Sequence, residues 1–112
     1  MTEEFLLKLK QWIAKGEAHR FYRTWLWRKT RRFILEKDKH ECQVCKSKGL
    51  YEPATMVHHV QYLEKHPELA ISEFYEYNGV KRRQLISLCD ACHDKIHKRE
   101  RYKEKQITIE RW

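Results

Sequence analysis

No apolar run in this 112-residue chain approaches the roughly 20 residues of a membrane span, which argues against a membrane partner. The opening MTEEFLLKLKQW carries two early acids and breaks up every apolar stretch, so no secretory leader is expected. Glycine and proline are scarce, at three and two. No low-complexity linker divides the chain and no repeat is visible, and the length suits one domain. Negative charge is in deficit. Asp and Glu number 16 against 24 Lys and Arg, a formal net charge of +8. Such an excess favours a polyanionic partner, because neutralised phosphates release condensed counterions. Small basic proteins that never meet nucleic acid exist, so the position of the charge matters more than its sum.

What is present is a modest apolar fraction of 41%, a charged fraction of 36% and four cysteines. A core of that size is often stapled by a metal or by disulfides. With no leader expected, the compartment expected is a reducing cytoplasm, where thiols hold metal rather than pair.

Phe5, Leu6, Leu9, Trp12 and Ile13 recur at helical spacing, with Gly16 as a stop. A second helix is predicted from near Thr24 to about Asp38. Trp27, Arg31, Ile34 and Leu35 fall along one side of it, and Arg23, Arg28, Lys29 and Arg32 spread around the rest. Those four bases suit a solvated face or a phosphate-contacting one equally. Met56 to Val60 reads as a strand, and Gln84 to Leu88 as a second strand running into Cys89. Between them Pro67 predicts a short helix reaching Phe74, and Asn78-Gly79 a turn. From about Ala91 a last helix carries His93 and His97 toward the charged run KRERYKEK. The expected fold class is α+β, with residues 1–20 a helical extension and 21–112 the functional domain of one compact unit.

Cys42-Gln-Val-Cys45 and Cys89-Asp-Ala-Cys92 are two C-x-x-C pairs with 43 residues between them. Two intervening residues let both thiolates of a pair converge on one tetrahedral ion, while knuckle amides point at the sulfurs. Two pairs complete a closed four-thiolate site, the structural type for zinc. A lone pair is weak evidence, since redox motifs share it; two pairs with no cysteine left over are strong. Disulfides or an iron centre are the alternatives.

That zinc leaves the histidines without a task. His58 and His59 are adjacent on a predicted strand, so their side chains leave in opposite directions. His93 and His97, four apart on a predicted helix, share a face and can grip one ion. Taken singly, each is more often a solvated histidine than a ligand. Their order around the cysteines favours chemistry: the knuckle that ends at Cys92 holds the first turn of the helix bearing His93.

The order C-x-x-C, then V-H-H-V, then L-I-S-L-C-x-x-C-H-x-x-x-H resembles the HNH endonucleases and their ββα-metal fold. WLWRKTRRFILEKDKHECQVCKSKG is similar to the lead-in of small phage-encoded members, and EKHPELAIS to the loop between the motif histidines. The likeness spans roughly Phe21 to Lys98. It implies that His59 is the general base and His58 the metal ligand before it. His93 is then the final metal-binding histidine, and His97 a ligand found in part of the family. Gln84 stands at the N of HNH, where the usual Asn braces the strand bearing the base; Gln is a departure, longer by one methylene but able to bond a backbone amide. The activity implied is metal-dependent DNA cleavage or nicking, leaving 5′-phosphate and 3′-hydroxyl ends. Its cofactors are a structural zinc and one catalytic Mg, Mn, Ni or Zn ion. Titration of the base is expected to govern activity between about pH 6 and 8. Double-stranded DNA is the expected partner, with phage packaging proteins such as the terminase a further one and the host cytoplasm the site. A non-catalytic zinc-ribbon DNA binder and a phage packaging accessory are the competing readings.

Overall fold

The structure, a computed structural model, describes residues 1–96. Helix α1 (Glu3–Ala14) begins where the Thr2 hydroxyl accepts the Phe5 amide at 3.1 Å, and ends before Gly16, which takes the left-handed φ of 72°. A 3-10 helix (Ala18–Arg23) leads into helix α2 (Trp25–Lys37). Thr24 caps α2 by accepting the Trp27 amide at 3.2 Å, and its hydroxyl donates back to the Phe21 carbonyl at 2.7 Å. This double use of one hydroxyl fixes the angle between the 3-10 turn and the helix.

After α2 the chain reverses through Lys39 and His40, both at positive φ, into a bridge between Glu41 and Pro53. The knuckle itself is a short helix, α3 (Gln43–Ser47), which the spacing of the cysteines alone does not announce. Strands β1 (Met56–His59) and β4 (Leu85–Leu88) pair antiparallel, with Val57 opposite Ser87, His58 opposite Ile86 and His59 opposite Leu85. Residues 90–96 are helical and follow β4 directly, completing a ββα unit. His97 and the charged run after it lie outside the described residues.

The insertion between β1 and β4 departs from expectation. The helix predicted from Pro67 to Phe74 is only a 3-10 turn (Pro67–Leu69). Phe74 instead opens β2 (Phe74–Tyr77), which pairs with β3 (Val80–Arg83) around Asn78-Gly79, both at positive φ. Alternating aromatics and an Asn-Gly turn favour a hairpin over a helix, and here they prevail. Gln84, expected to begin the second strand, lies just before β4. Among the described residues no helix is long and apolar enough to cross a membrane.

Two clusters hold the domain together. The larger buries Leu9, Phe21, Trp27, Ile34, Val57, Leu63 and Leu85, so α1 shares a core with α2 and the β1–β4 pair. The smaller is built from the cysteines themselves, with Leu88 at its centre and Val44, Met56 and Ile96 around it. A partly buried ion pair joins α2 to the insertion and to β4. Arg83 donates to both Asp38 carboxylate oxygens at 3.1 Å and to the Leu85 carbonyl at 2.9 Å, and Asp38 also accepts the Ser87 amide at 3.2 Å. Bidentate geometry and the extra backbone partners offset the desolvation of both charges.

Candidate active site and metal centre

The four thiols converge as their spacing demands. Their sulfurs all lie within 4.8 Å of one another, with Cys45 at 3.5 Å from Cys92 and 3.9 Å from Cys89. The cysteines are not joined as disulfides. Burial works against a thiolate at Cys42, yet backbone N–H groups of Cys45 and Cys89 hold its pKa at about 7. Cys45 moves the other way, to about 12, under its hydrogen bond with Cys92, burial and the remaining thiols. Burial likewise pushes Cys92 up. Sulfurs this crowded can all ionise only around a cation, and four thiolates in a closed tetrahedral set suit zinc. The donor set fits the ion.

A cavity of about 420 Å³ opens beside β1, and its walls include His58, His59, His93, Arg31, Tyr22 and Glu64. His59 is 6% exposed and clamped on several sides. Its ring stacks on Trp27 at 5.0 Å between centroids, with Phe21 and Tyr22 edge-on at 6.2 and 6.1 Å. Its Nε2 lies 2.8 Å from the Ala70 carbonyl oxygen. A carbonyl only accepts, so Nε2 carries the proton and the lone pair sits on Nδ1. Burial lowers the pKa of His59 from its usual value, against the opposing pull of the Ala70 bond and of Glu64. The imidazole is therefore neutral at pH 7. Its titration moves to the acid side of about 6.5, below most of the pH 6 to 8 window that an unperturbed histidine suggests.

His58, also 6% exposed, turns to the helix after β4, where its ring meets that of His93 at 5.5 Å between centroids and 78° between planes. Two imidazoles bound to one ion at 2.0–2.1 Å place their centroids roughly 5 Å apart, so the pair fits a shared ion. The Thr55 hydroxyl donates to Asp90 at 2.5 Å, tying the lead into β1 to the start of the helix that carries His93. Among the described residues only the cysteines form a group of three or more close ligands. His97, the expected third nitrogen, lies outside them.

Gln84 is fully buried and uses both ends of its amide on one residue. Its Nε2 donates to the Gln61 carbonyl and its Oε1 accepts the Gln61 amide, each at 2.9 Å. The Gln84 backbone carbonyl accepts the Val60 amide at 2.8 Å. Three hydrogen bonds thus pin the two residues that follow His59.

Of the four bases singled out on α2 and before it, Arg28, Lys29 and Arg32 line a neighbouring open cavity, while Arg23 is exposed at the end of the 3-10 helix. Sequence reasoning missed Tyr22, Tyr62 and Glu64 in the histidine cavity and placed Arg31 only on the inner side of α2. Arg31 donates to the Thr55 carbonyl at 2.9 Å and lines both cavities. Tyr22, whose hydroxyl is driven to about pKa 12 by burial and by Glu64, stays a neutral phenol. Only its position near the Trp-rich lead-in hinted at a role.

No protein-family model matches the chain, and no curated protein matches it in sequence. A solved structure does: the manganese-bound HNH endonuclease of the deep-sea thermophilic bacteriophage GVE2. It superposes with a TM-score of 0.68 over 92% of this chain and 98% of that one, at 24% identity. The long helix, the cysteine knuckles and the strand pair with its following helix thus form the fold of an HNH endonuclease.

Proposed function

We propose that the chain is a metal-dependent DNA endonuclease or nickase, phage-encoded and working in the host cytoplasm, with His59 as general base. One observation carries the reading: a buried, neutral imidazole whose proton is tied up at Nε2 shares a cavity with a His58–His93 pair spaced for one ion. Nδ1 of His59 takes a proton from water, which then attacks phosphorus in line. Trp27 and the Ala70 carbonyl hold the ring so that this lone pair keeps one direction. His58 and His93, with His97, would hold a divalent ion that, when bound, polarises a phosphate oxygen and stabilises the leaving 3′ oxygen. Gln84 keeps the end of β1 in register, which holds His59 in place.

Supercoiled plasmid incubated with Mg, Mn or Ni is expected to become nicked or linear, and a chelator should stop the conversion. No cleavage with any of the ions would favour the zinc-ribbon binding module.

Phosphate contact by Arg23, Arg28, Lys29 and Arg32 makes a separate prediction. Affinity for duplex DNA should fall steeply between about 50 and 200 mM salt, with little sequence preference. Each lost phosphate contact flattens the logarithmic salt slope by about 0.9, so neutralising all four should flatten it by roughly 3–4. An unchanged slope in anisotropy titrations returns these residues to a solvated face.

A further inference from the structure

Beside the histidine cavity lies a second, open cavity of about 740 Å³. Trp25, Arg28, Lys29, Arg32 and Glu36 line it, and Arg31 belongs to the walls of both. Residues 25, 28, 29, 32 and 36 recur at steps of three and four, so they form one stripe along the helix. That stripe runs about 16 Å at 1.5 Å per residue. Its charge is one-sided: Arg28, Lys29, Arg31 and Arg32 face a single acid, Glu36, which sits 3.8 Å from Arg32 with both side chains well solvated.

Trp25 stands apart. At 76% exposure it is the most exposed large apolar side chain among the described residues, whereas Trp27, two positions on, is buried at 5%. It occupies the first position of a capped helix, so its backbone is fixed while its indole lies open. An indole on a rigid support among cations offers a flat apolar surface beside phosphate-binding groups. Sequence-independent binding of single strands is built from those two parts, a basic groove and an aromatic platform.

We infer that the α2 groove is a subsite for unpaired nucleotides, with Trp25 stacking on an exposed base while Arg28, Lys29 and Arg32 track the phosphates. A paired base has its faces covered by its neighbours, so Trp25 can stack only on a base freed at a gap, flap or fork. Arg31 marks the crossing from this groove into the cavity of His58 and His59. The inference rests on the nuclease reading for the fate of the strand beyond Arg31, and it narrows the substrate class to DNA with unpaired nucleotides.

The test uses the full, zinc-loaded chain without added divalent ion, so that binding is read apart from cleavage. Anisotropy compares a fully paired duplex with the same duplex carrying a short gap. The gapped duplex is expected to bind about 5–150-fold more tightly, the range that one base–aromatic stack supplies. Trp25→Ala should bring the ratio of the two affinities close to one, and Trp25→Phe should keep most of the preference. A thermal melt checks that each variant is folded. Equal binding of both DNAs by the unaltered chain, or a preference that survives Trp25→Ala, overturns the subsite even where plasmid is cleaved. A Trp25-dependent preference in a protein that cleaves nothing sustains the subsite and defeats the nuclease reading instead. Binding to neither DNA defeats both.

Discussion

Cys42→Ser and Cys89→Ser are each expected to leave the chain unfolded or insoluble, and stripping the metal from the purified protein should do the same. The reason lies in what surrounds the site. The smaller of the two cores is the cysteine cluster, with Leu88 fully buried among the sulfurs and Met56 and Ile96 packed on it. Without a central cation, sulfurs within 4.8 Å of one another would be held together mainly by thiol contacts. Structural zinc contributes about 10–16 kcal/mol in small peptides. A domain of this size is stable by only about 5–15 kcal/mol in all, so metal loss removes as much as the whole fold commands. The loss should also be felt at the histidines. Cys89 and Cys92 flank the start of the 90–96 helix, and the His93 amide donates to the Cys89 carbonyl at 3.1 Å. Metal analysis should find one zinc per chain, and a melt should show no cooperative transition in either serine variant. A cooperative melt close to that of the unaltered chain would end the structural role.

Much of this site could be read in the sequence because its signals are local. Two residues between cysteines, three between Thr24 and Arg28, and an apolar rhythm through Trp27, Ile34 and Leu35 each fix geometry within a few residues. The parts that escaped depend on partners far along the chain. Asp38 reads as the end of a helix, and nothing near it announces Arg83, 45 residues on, as its ion-pair partner. Tyr22 precedes β1 in the chain and Glu64 follows it, yet both line the same cavity, an arrangement that exists only once the 3-10 helix docks. The stretch from Pro67 to Phe74 shows a rule misapplied. Proline can open a helix, but three residues of 3-10 turn suffice here before the β-prone Phe74-Tyr75-Glu76-Tyr77 pairs across Asn78-Gly79. Gln84 illustrates a third case. Its departure from Asn left the bracing geometry open, and the added methylene is accommodated by a paired amide contact with Gln61.

His59→Ala is expected to cut single-turnover cleavage by roughly 10²–10⁴-fold while the divalent ion still binds, the usual cost of removing a general base. His58→Ala and His93→Ala should behave differently. Each removes a ligand from the pair at 5.5 Å, so their defects should shrink as the ion concentration is raised, whereas that of His59→Ala should not. His97→Ala is expected to follow the ligand pattern. Calorimetric titration of the ion beside single-turnover rates separates the two behaviours. Alanine carries a complication, because it deletes the stack on Trp27 and leaves the Ala70 carbonyl without its donor. An unsatisfied buried group costs about 1–3 kcal/mol, enough to lower activity through the fold alone. His59→Gln answers this: its amide N–H can replace the bond to Ala70, yet it has no basic nitrogen near neutrality. Acidity gives an independent check. Because burial lowers the pKa of His59, the neutral ring contributes its full stability above about pH 6.5, and that contribution fades as pH falls through the folded value. Cleavage should accordingly reach its plateau by neutral pH with its acid limb below about 6.5, and a divalent ion at His58 shifts that limb further the same way. A His59→Gln protein that melts normally, binds the ion and cleaves at the unaltered rate would remove His59 as the base.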